Sequence, residues 1–190
     1  MIKNKGKIIQ IDADLKRALS PFRYEHSIRV AKEAQILAHH YQLDEKKAYL
    51  AGLIHDIARE FSKEENTKWE EKYNISFTSL PLSIIHADIG ALVAKEKYDL
   101  EEDICNAIKY HTIGNASMTL LDKIVFIADK IARKDLPSSL ENVKKVAYQN
   151  LDEAIILFLQ QETKYLKEKN QEMHPDSLEL LKKLQENNKV

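Results

Sequence analysis

Turn-forming residues are scarce in this chain, with four glycines and four prolines in 190 residues. A many-stranded fold needs a tight turn between most of its strands, and Gly and Pro supply most such turns. Their scarcity confines the chain to long helices with short connections, an all-α fold. Hydrophobic residues are 44% of the sequence and charged residues 31%, enough apolar material for a core and too much for a disordered chain. One domain over residues 1–190 is expected, with a core at about 20–135 and a helical appendage at about 139–187.

The helix boundaries are punctuated. Ser20-Pro21 pairs an N-cap hydroxyl with a first-turn proline and opens a helix to about Tyr41. Asp44 caps the next, from Glu45 to about Arg59. Ser62 with Glu65 forms a capping box and starts a third, to about Tyr73. Asn74 to Pro81 reads as a loop. A short amphipathic start at Ile8–Leu19 precedes these, and helices at about Leu82–Tyr98, Glu101–His111, Thr119–Arg133, Ser139–Lys169 and Ser177–Asn187 follow. Ser177 is the expected cap of the last, which lies beyond His174-Pro175.

Several function classes fall away on composition and motifs. Lys and Arg total 29 against 30 acids, a net charge of -1, which argues against nucleic acid as a partner. Cys105 is the single cysteine, which excludes a disulfide framework or a CxxC zinc ribbon and fits a reducing compartment. No apolar segment follows the charged start, and the longest uncharged stretch, Tyr73 to Ala87, is too short to span a membrane. A soluble, cytoplasmic domain with no membrane partner is expected. The P-loop, the dinucleotide-binding glycine motif, HExxH, GxSxG and the ExxH pairs of di-iron bundles are all absent. Chemistry must then come from polar residues borne on helices.

Those residues stand out by position. His26 shares a helical stripe with Phe22, Val30 and Leu37; His55 follows Ala48, Ala51 and Gly52. His86 precedes Ile89, Gly90 and Val93, and His111 follows Ile104, Ala107 and Ile108. Asp56 adjoins His55, and Asp129 ends the apolar run Ile124 to Ala128. Any one of these histidines alone reads as a hydrogen-bonded core residue. Taken together they read otherwise, because a buried carboxylate costs several kcal/mol unless it is paired or bound to metal. Four inward histidines and two inward aspartates suit a metal site in a helical bundle. Nitrogen and oxygen donors without thiolate point to iron, manganese, zinc or a similar ion.

His26, the His55-Asp56 pair and Asp129 form an H…HD…D pattern. The words around it are Arg23-Tyr24-Glu25-His26-Ser27, Gly52-Leu53-Ile54-His55-Asp56, His86-Ala87-Asp88-Ile89-Gly90, Tyr110-His111-Thr112-Ile113-Gly114 and Ala128-Asp129-Lys130-Ile131. With them the chain resembles, from about residue 8 to 186, the YqeK-type branch of the HD-domain phosphohydrolases. That resemblance implies an HD-domain helical bundle with a metal in its core and symmetrical cleavage of diadenosine tetraphosphate to two ADP.

It further implies metal ligation by His26, His55, Asp56 and Asp129, with iron, or else manganese or another divalent metal, as one ion or two. Asp56, His86 and His111 become the catalytic set. Arg23, Arg59, His86, His111, Thr112, Lys130 and Arg133 become substrate contacts, and His174 and Ser177, from a late His-Pro motif, complete the nucleotide pocket. A homodimer is implied as well. The chain departs from the branch at Ala132-Arg133-Lys134-Asp135, where the branch usually has Glu-Pro-x-Arg; the positive charge is displaced by two residues.

The chemistry agrees with these residue types. A phosphoanhydride needs neutralised oxygens, a strong nucleophile and a stabilised leaving phosphate. A metal in a His/Asp cage meets the first two needs, through attack of its hydroxide on a central phosphorus. Arg23 and Arg59 share helix faces with the ligands and serve the third. Two other readings stand beside this one: an HD-type nucleotidase or signalling-nucleotide hydrolase, and a non-catalytic nucleotide-binding regulatory module.

Overall fold

The computed structural model describes residues 2–76 and 81–188. Among the described residues every regular element is a helix. In chain order these are α1 (Ile2–Ala18), α2 (Pro21–His40), α3 (Glu45–Ile54), α4 (Lys63–Tyr73) and α5 (Leu82–Tyr98). There follow α6 (Glu102–Tyr110), α7 (Leu120–Ile131), α8 (Ser138–Ala147), α9 (Leu151–Glu168) and α10 (Pro175–Asn187). Of the loop expected at Asn74 to Pro81, residues 77–80 lie outside the described residues, as do residues 189 and 190 at the end of the chain.

Local chemistry sets most of the boundaries. Asp44 accepts from the backbone N–H groups of Lys46 and Lys47. Ser62 and Glu65 form a reciprocal capping box, and Thr119 forms another with Asp122. Asn74 and Asp99 end α4 and α5 in the left-handed conformation, with φ of 51° and 48°.

Four boundaries differ from the sequence expectation, the earliest being the start of α1, at Ile2 rather than Ile8. The helix from Glu45 stops at Ile54, and residues 55–60 form tight turns. The stretch Ser139–Lys169 is two helices, because Asn150 leaves the helical conformation at φ -154° and caps α9 through the N–H groups of Asp152 and Glu153. The last helix begins at Pro175, with His174 rather than Ser177 as its cap: His174 Nδ1 accepts from the Asp176 N–H.

Helix α7 organises the packing and contacts α2, α3, α6, α8 and α9. Its interior residues Ile124, Val125, Phe126, Ile127 and Ala128 are all fully buried. Each large apolar side chain taken from water in this way contributes about 1.5–3 kcal/mol. Helices α2 and α3 meet at Gly52, where a Cβ would lie 2.9 Å from the Ala31 Cα, so only glycine allows this approach. Helix α1 buries Ile11 and Leu15 and is tied to α5 by Tyr98, whose hydroxyl donates to Asp14 at 2.8 Å.

Candidate active site

Five elements deliver polar side chains to one place. His26 comes from α2, His55 and Asp56 from the turn that ends α3, His86 from α5, His111 from the end of α6 and Asp129 from α7. The early stop of α3 matters here, because it turns His55, Asp56 and Arg59 toward the same centre. His26, His55 and Asp129 each offer one donor atom within 4.8 Å of the others. His55, Asp56 and His111 form a second such group, so His55 belongs to both. The imidazoles run as a chain, with centroid distances of 5.4 Å from His26 to His55, 4.9 Å from His55 to His111 and 5.1 Å from His111 to His86.

Backbone carbonyls orient the rings. His55 Nδ1 donates to Gly52 O at 2.7 Å, and His111 Nδ1 donates to Ile108 O at 2.6 Å. Each ring therefore turns a bare Nε2 inward, the arrangement that metal-binding histidines adopt. His55 Nε2 is buried without a hydrogen-bond partner. It lies 3.5 Å from Asp56 Oδ2 and 3.5 Å from Asp129 Oδ1. Asp129 Oδ1 also lies 2.9 Å from His26 Nε2, and Asp56 Oδ1 lies 3.1 Å from His86 Nε2. The orphaned nitrogen and the two converging carboxylates fit a divalent cation, which would answer all three at once.

The electrostatics show the same demand. Burial opposes the charge on Asp56, but His55, His111 and His86 outweigh it and hold the carboxyl well below its ordinary value. Burial also opposes the charge on Asp129, and Lys130, His26 and His55 hold it well below likewise. His55 is moved the opposite way: burial would lower it, and the Asp56 and Asp129 carboxylates raise it above its ordinary value. His111 is pushed down to about 4, chiefly by burial, with the neighbouring His55 and His86 adding to the effect.

The cage opens into a cavity of about 490 Å³. Arg23, Arg59, Thr112 and Arg133 line it, as expected from the sequence. Arg23 Nη1 is 3.4 Å from Asp56 Oδ2. Arg59 Nη1 donates to His86 Nδ1 and to Ser83 O, each at 3.0 Å. Thr112 Oγ1 donates to His111 Nε2 at 3.1 Å.

Two expected substrate contacts, His174 and Ser177, are placed differently, and Lys130 lines the cavity but has its ammonium engaged by the protein. Lys130 Nζ is engaged inside the protein, at 2.8 Å from Asp129 Oδ2, 3.1 Å from His111 O and 3.5 Å from Thr112 O. An ammonium has three protons, so no donor is left over for a phosphate. His174 and Ser177 lie outside the cavity lining. His174 caps α10, and Ser177 donates to Ile113 O at 2.6 Å. The sequence reading also missed Phe22, Arg29, Ser83, Lys134 and Asp135, which line the cavity. For Arg29 a signal existed: it stands one turn after His26 as Arg23 stands one turn before it.

The HD-domain family model matches residues 23–134, the segment that carries every member of the cage. The chain is 38% identical to the symmetrical bis(5'-nucleosyl)-tetraphosphatase of Halalkalibacterium halodurans, over 92% of this chain and 94% of that protein. It is 35% identical to the protein of the same description from Bacillus subtilis, over 87% of this chain and 90% of that protein. The crystal structure of a predicted HD superfamily hydrolase involved in NAD metabolism, from Clostridium acetobutylicum, superposes with a TM-score of 0.87 at 28% identity, covering 95% of this chain and 97% of that one. The chain belongs to the HD-domain family, and within it to the branch of these symmetrical tetraphosphatase relatives. Membership implies a divalent metal, and the two His/Asp groups could hold one. Among the described residues no helix is long and apolar enough to cross a membrane.

Proposed function

We propose that this protein is a metal-dependent phosphoanhydride hydrolase that cleaves diadenosine tetraphosphate into two ADP. The observation that carries the reading is the buried, unpartnered His55 Nε2 between the Asp56 and Asp129 carboxylates, at the base of a cavity lined with arginines. His26, His55, Asp56 and Asp129 hold the metal, and His111 completes the second donor group if two ions bind. Iron is the ion taken from the family resemblance, with manganese the first alternative. When bound, such an ion neutralises phosphate charge and lowers the pKa of a water.

The protein's own groups divide the remaining work. Arg59 donates to His86 Nδ1, so His86 carries its proton on Nε2, beside Asp56 and His111. That N–H is placed to donate a hydrogen bond to the departing ADP oxygen as charge develops on it. Arg23 and Thr112 hold the phosphates at the reacting centre, and Arg133 extends the contact outward. Lys130 positions Asp129 and the His111 turn, and touches no substrate. Residues 1–190 act as one domain, with the site in the segment at about 20–135 and α8 to α10 supporting it. The reading takes a cytoplasmic location and, from the family resemblance, a homodimer.

Product chromatography after incubation with diadenosine tetraphosphate tests the reading, with and without added iron or manganese. ADP as the sole product, formed only with metal, is expected. AMP plus ATP, or activity that survives chelation, would overturn it.

A further inference from the structure

The cavity holds more positive charge than one side of the cage employs. Arg23 and Arg59 are committed on the Asp56 side, through Asp56, His86 and Ser83. Across the cage, beside Asp129 at the end of α7, Arg29, Arg133 and Lys134 line the same cavity. Arg23 and Arg29 flank His26 on α2 at equal spacing, and the rise between them is ~9 Å, so they serve opposite ends of the site.

Arg29 is held in place. Its Nε donates to Ala132 O at 3.1 Å, which pins the guanidinium against the C-terminus of α7, and Glu25 approaches Nη1 only to 3.9 Å. Arg133 and Lys134 are exposed and make no hydrogen bond or ion pair among the described residues. Asp135 is the one acid on this wall beyond the cage itself. A helix C-terminus attracts cations without any ligand, which would account for Arg133 and Lys134 alone. The α7 carbonyl engages only the Nε of Arg29, so the outer edge of a fixed guanidinium is left without a hydrogen-bond partner among the described residues at the same corner of the same cavity.

We propose that Arg29, Arg133 and Lys134 form a second phosphate subsite, so that the bridging phosphates cross the cage with one ADP half on each wall. The proposal rests on the dinucleoside polyphosphate reading above and gives it a recognition rule: a two-ended substrate uses both walls, and a single nucleotide uses the Arg23 and Arg59 wall. Two walls that differ in structure but agree in charge favour a long polyanion centred on the metal.

The test is titration calorimetry on the manganese-loaded full chain, comparing wild type with the double variant R133Q/K134Q. Both replaced side chains are exposed and make no hydrogen bond or ion pair among the described residues, so fold and metal content should be unchanged. The two probes are ADP and a methylene-bridged, non-hydrolysable diadenosine tetraphosphate. The variant should bind the two-ended probe about tenfold more weakly or worse, a loss of about 1.4 kcal/mol. Its affinity for ADP should change less than about twofold. Equal losses for both probes, no loss for either, or failure of wild type to bind the two-ended probe would each overturn the second subsite. Absence of hydrolysis with selective loss of the two-ended probe would retain the subsite and sink the proposed reaction.

Discussion

Ser177 of α10 donates its hydroxyl to the carbonyl of Ile113 at 2.6 Å, joining the end of the chain to the turn that carries His111 and Thr112. The contact is reinforced one residue further along the turn. Gly114 has φ 75°, and a Cβ there would lie 2.5 Å from Leu180 Cδ2, so α10 presses directly on the turn. The tail thus supports the site from behind.

Ser177→Ala should loosen that turn without removing a ligand. One buried hydrogen bond is worth about 1 kcal/mol, so the fold survives. Gly114 N–H bonds Tyr110 O at 2.9 Å, and its hydrogen exchange should quicken in the variant. Metal content should stay whole while kcat falls severalfold and KM changes less. Unchanged exchange at Gly114 together with unchanged kcat would leave the hydroxyl no positioning role.

Lys130→Met tests the buried ammonium. The substitution keeps the stem against Phe126 and Phe158, whose rings face Nζ at 5.1 Å and 5.7 Å. It leaves Asp129 without its cationic partner, and breaking a buried pair from one side costs about 3–5 kcal/mol. A bound metal supplies the missing positive charge, so manganese should restore a large part of that loss. Thermal melting with and without chelator reads both effects. A variant that melts like wild type in chelator would remove Lys130 from the support of the site.

The helices and the cage were legible in the sequence for different reasons. Asp44 and Ser62 act on neighbours two or three residues away, so their caps can be read from a short window. His26, His55, His86 and His111 betrayed themselves by standing on apolar stripes, and the structure brings them together. What stayed hidden depends on partners far along the chain. Nothing near Lys130 shows that its ammonium meets His111 O and Thr112 O. Ser177 looked like a cap because its acceptor, Ile113, lies 64 residues away. The break at Asn150 was missed because Asn is tolerated inside helices as well as at their ends.

Asp14 gives the fold a pH dependence far from the cage. Lys97 at 2.9 Å, Tyr98 and Arg17 hold its carboxyl down to about 2, with Lys97 the largest cause and burial opposing. Above the ordinary carboxylate value of 3.8 the group is charged in both folded and unfolded chains, and its full stabilisation is present. As pH falls from there toward about 2, the unfolded chain takes up the proton first, and the stabilisation drains away. Asp14→Asn should therefore cost about 1–3 kcal/mol at neutral pH. Its deficit against wild type should shrink as denaturation is repeated at lower pH. A deficit that stays constant down to pH 2 would mean that the charge on Asp14 is not what ties α1 to α5.

Metal removal should reach both stability and chemistry through His55. A cation that binds only the folded chain stabilises it by about 2.7 kcal/mol at a concentration 100-fold above Kd. For a chain of this size each kcal/mol moves Tm by about 2–4 °C, so chelation should lower wild-type Tm by ~5–10 °C. His55 belongs to both donor groups, so His55→Ala should abolish the response to metal together with activity. Its chelated Tm need not match that of wild type, because the comparison is the shift on adding metal and not the absolute value. His174→Ala serves as the control: its ring caps α10 outside the cavity lining, so the variant should lose some helix stability and keep the whole metal shift. A full metal shift in His55→Ala would move the ion to other ligands. A lost shift in His174→Ala would bring the chain's last segment back to the site.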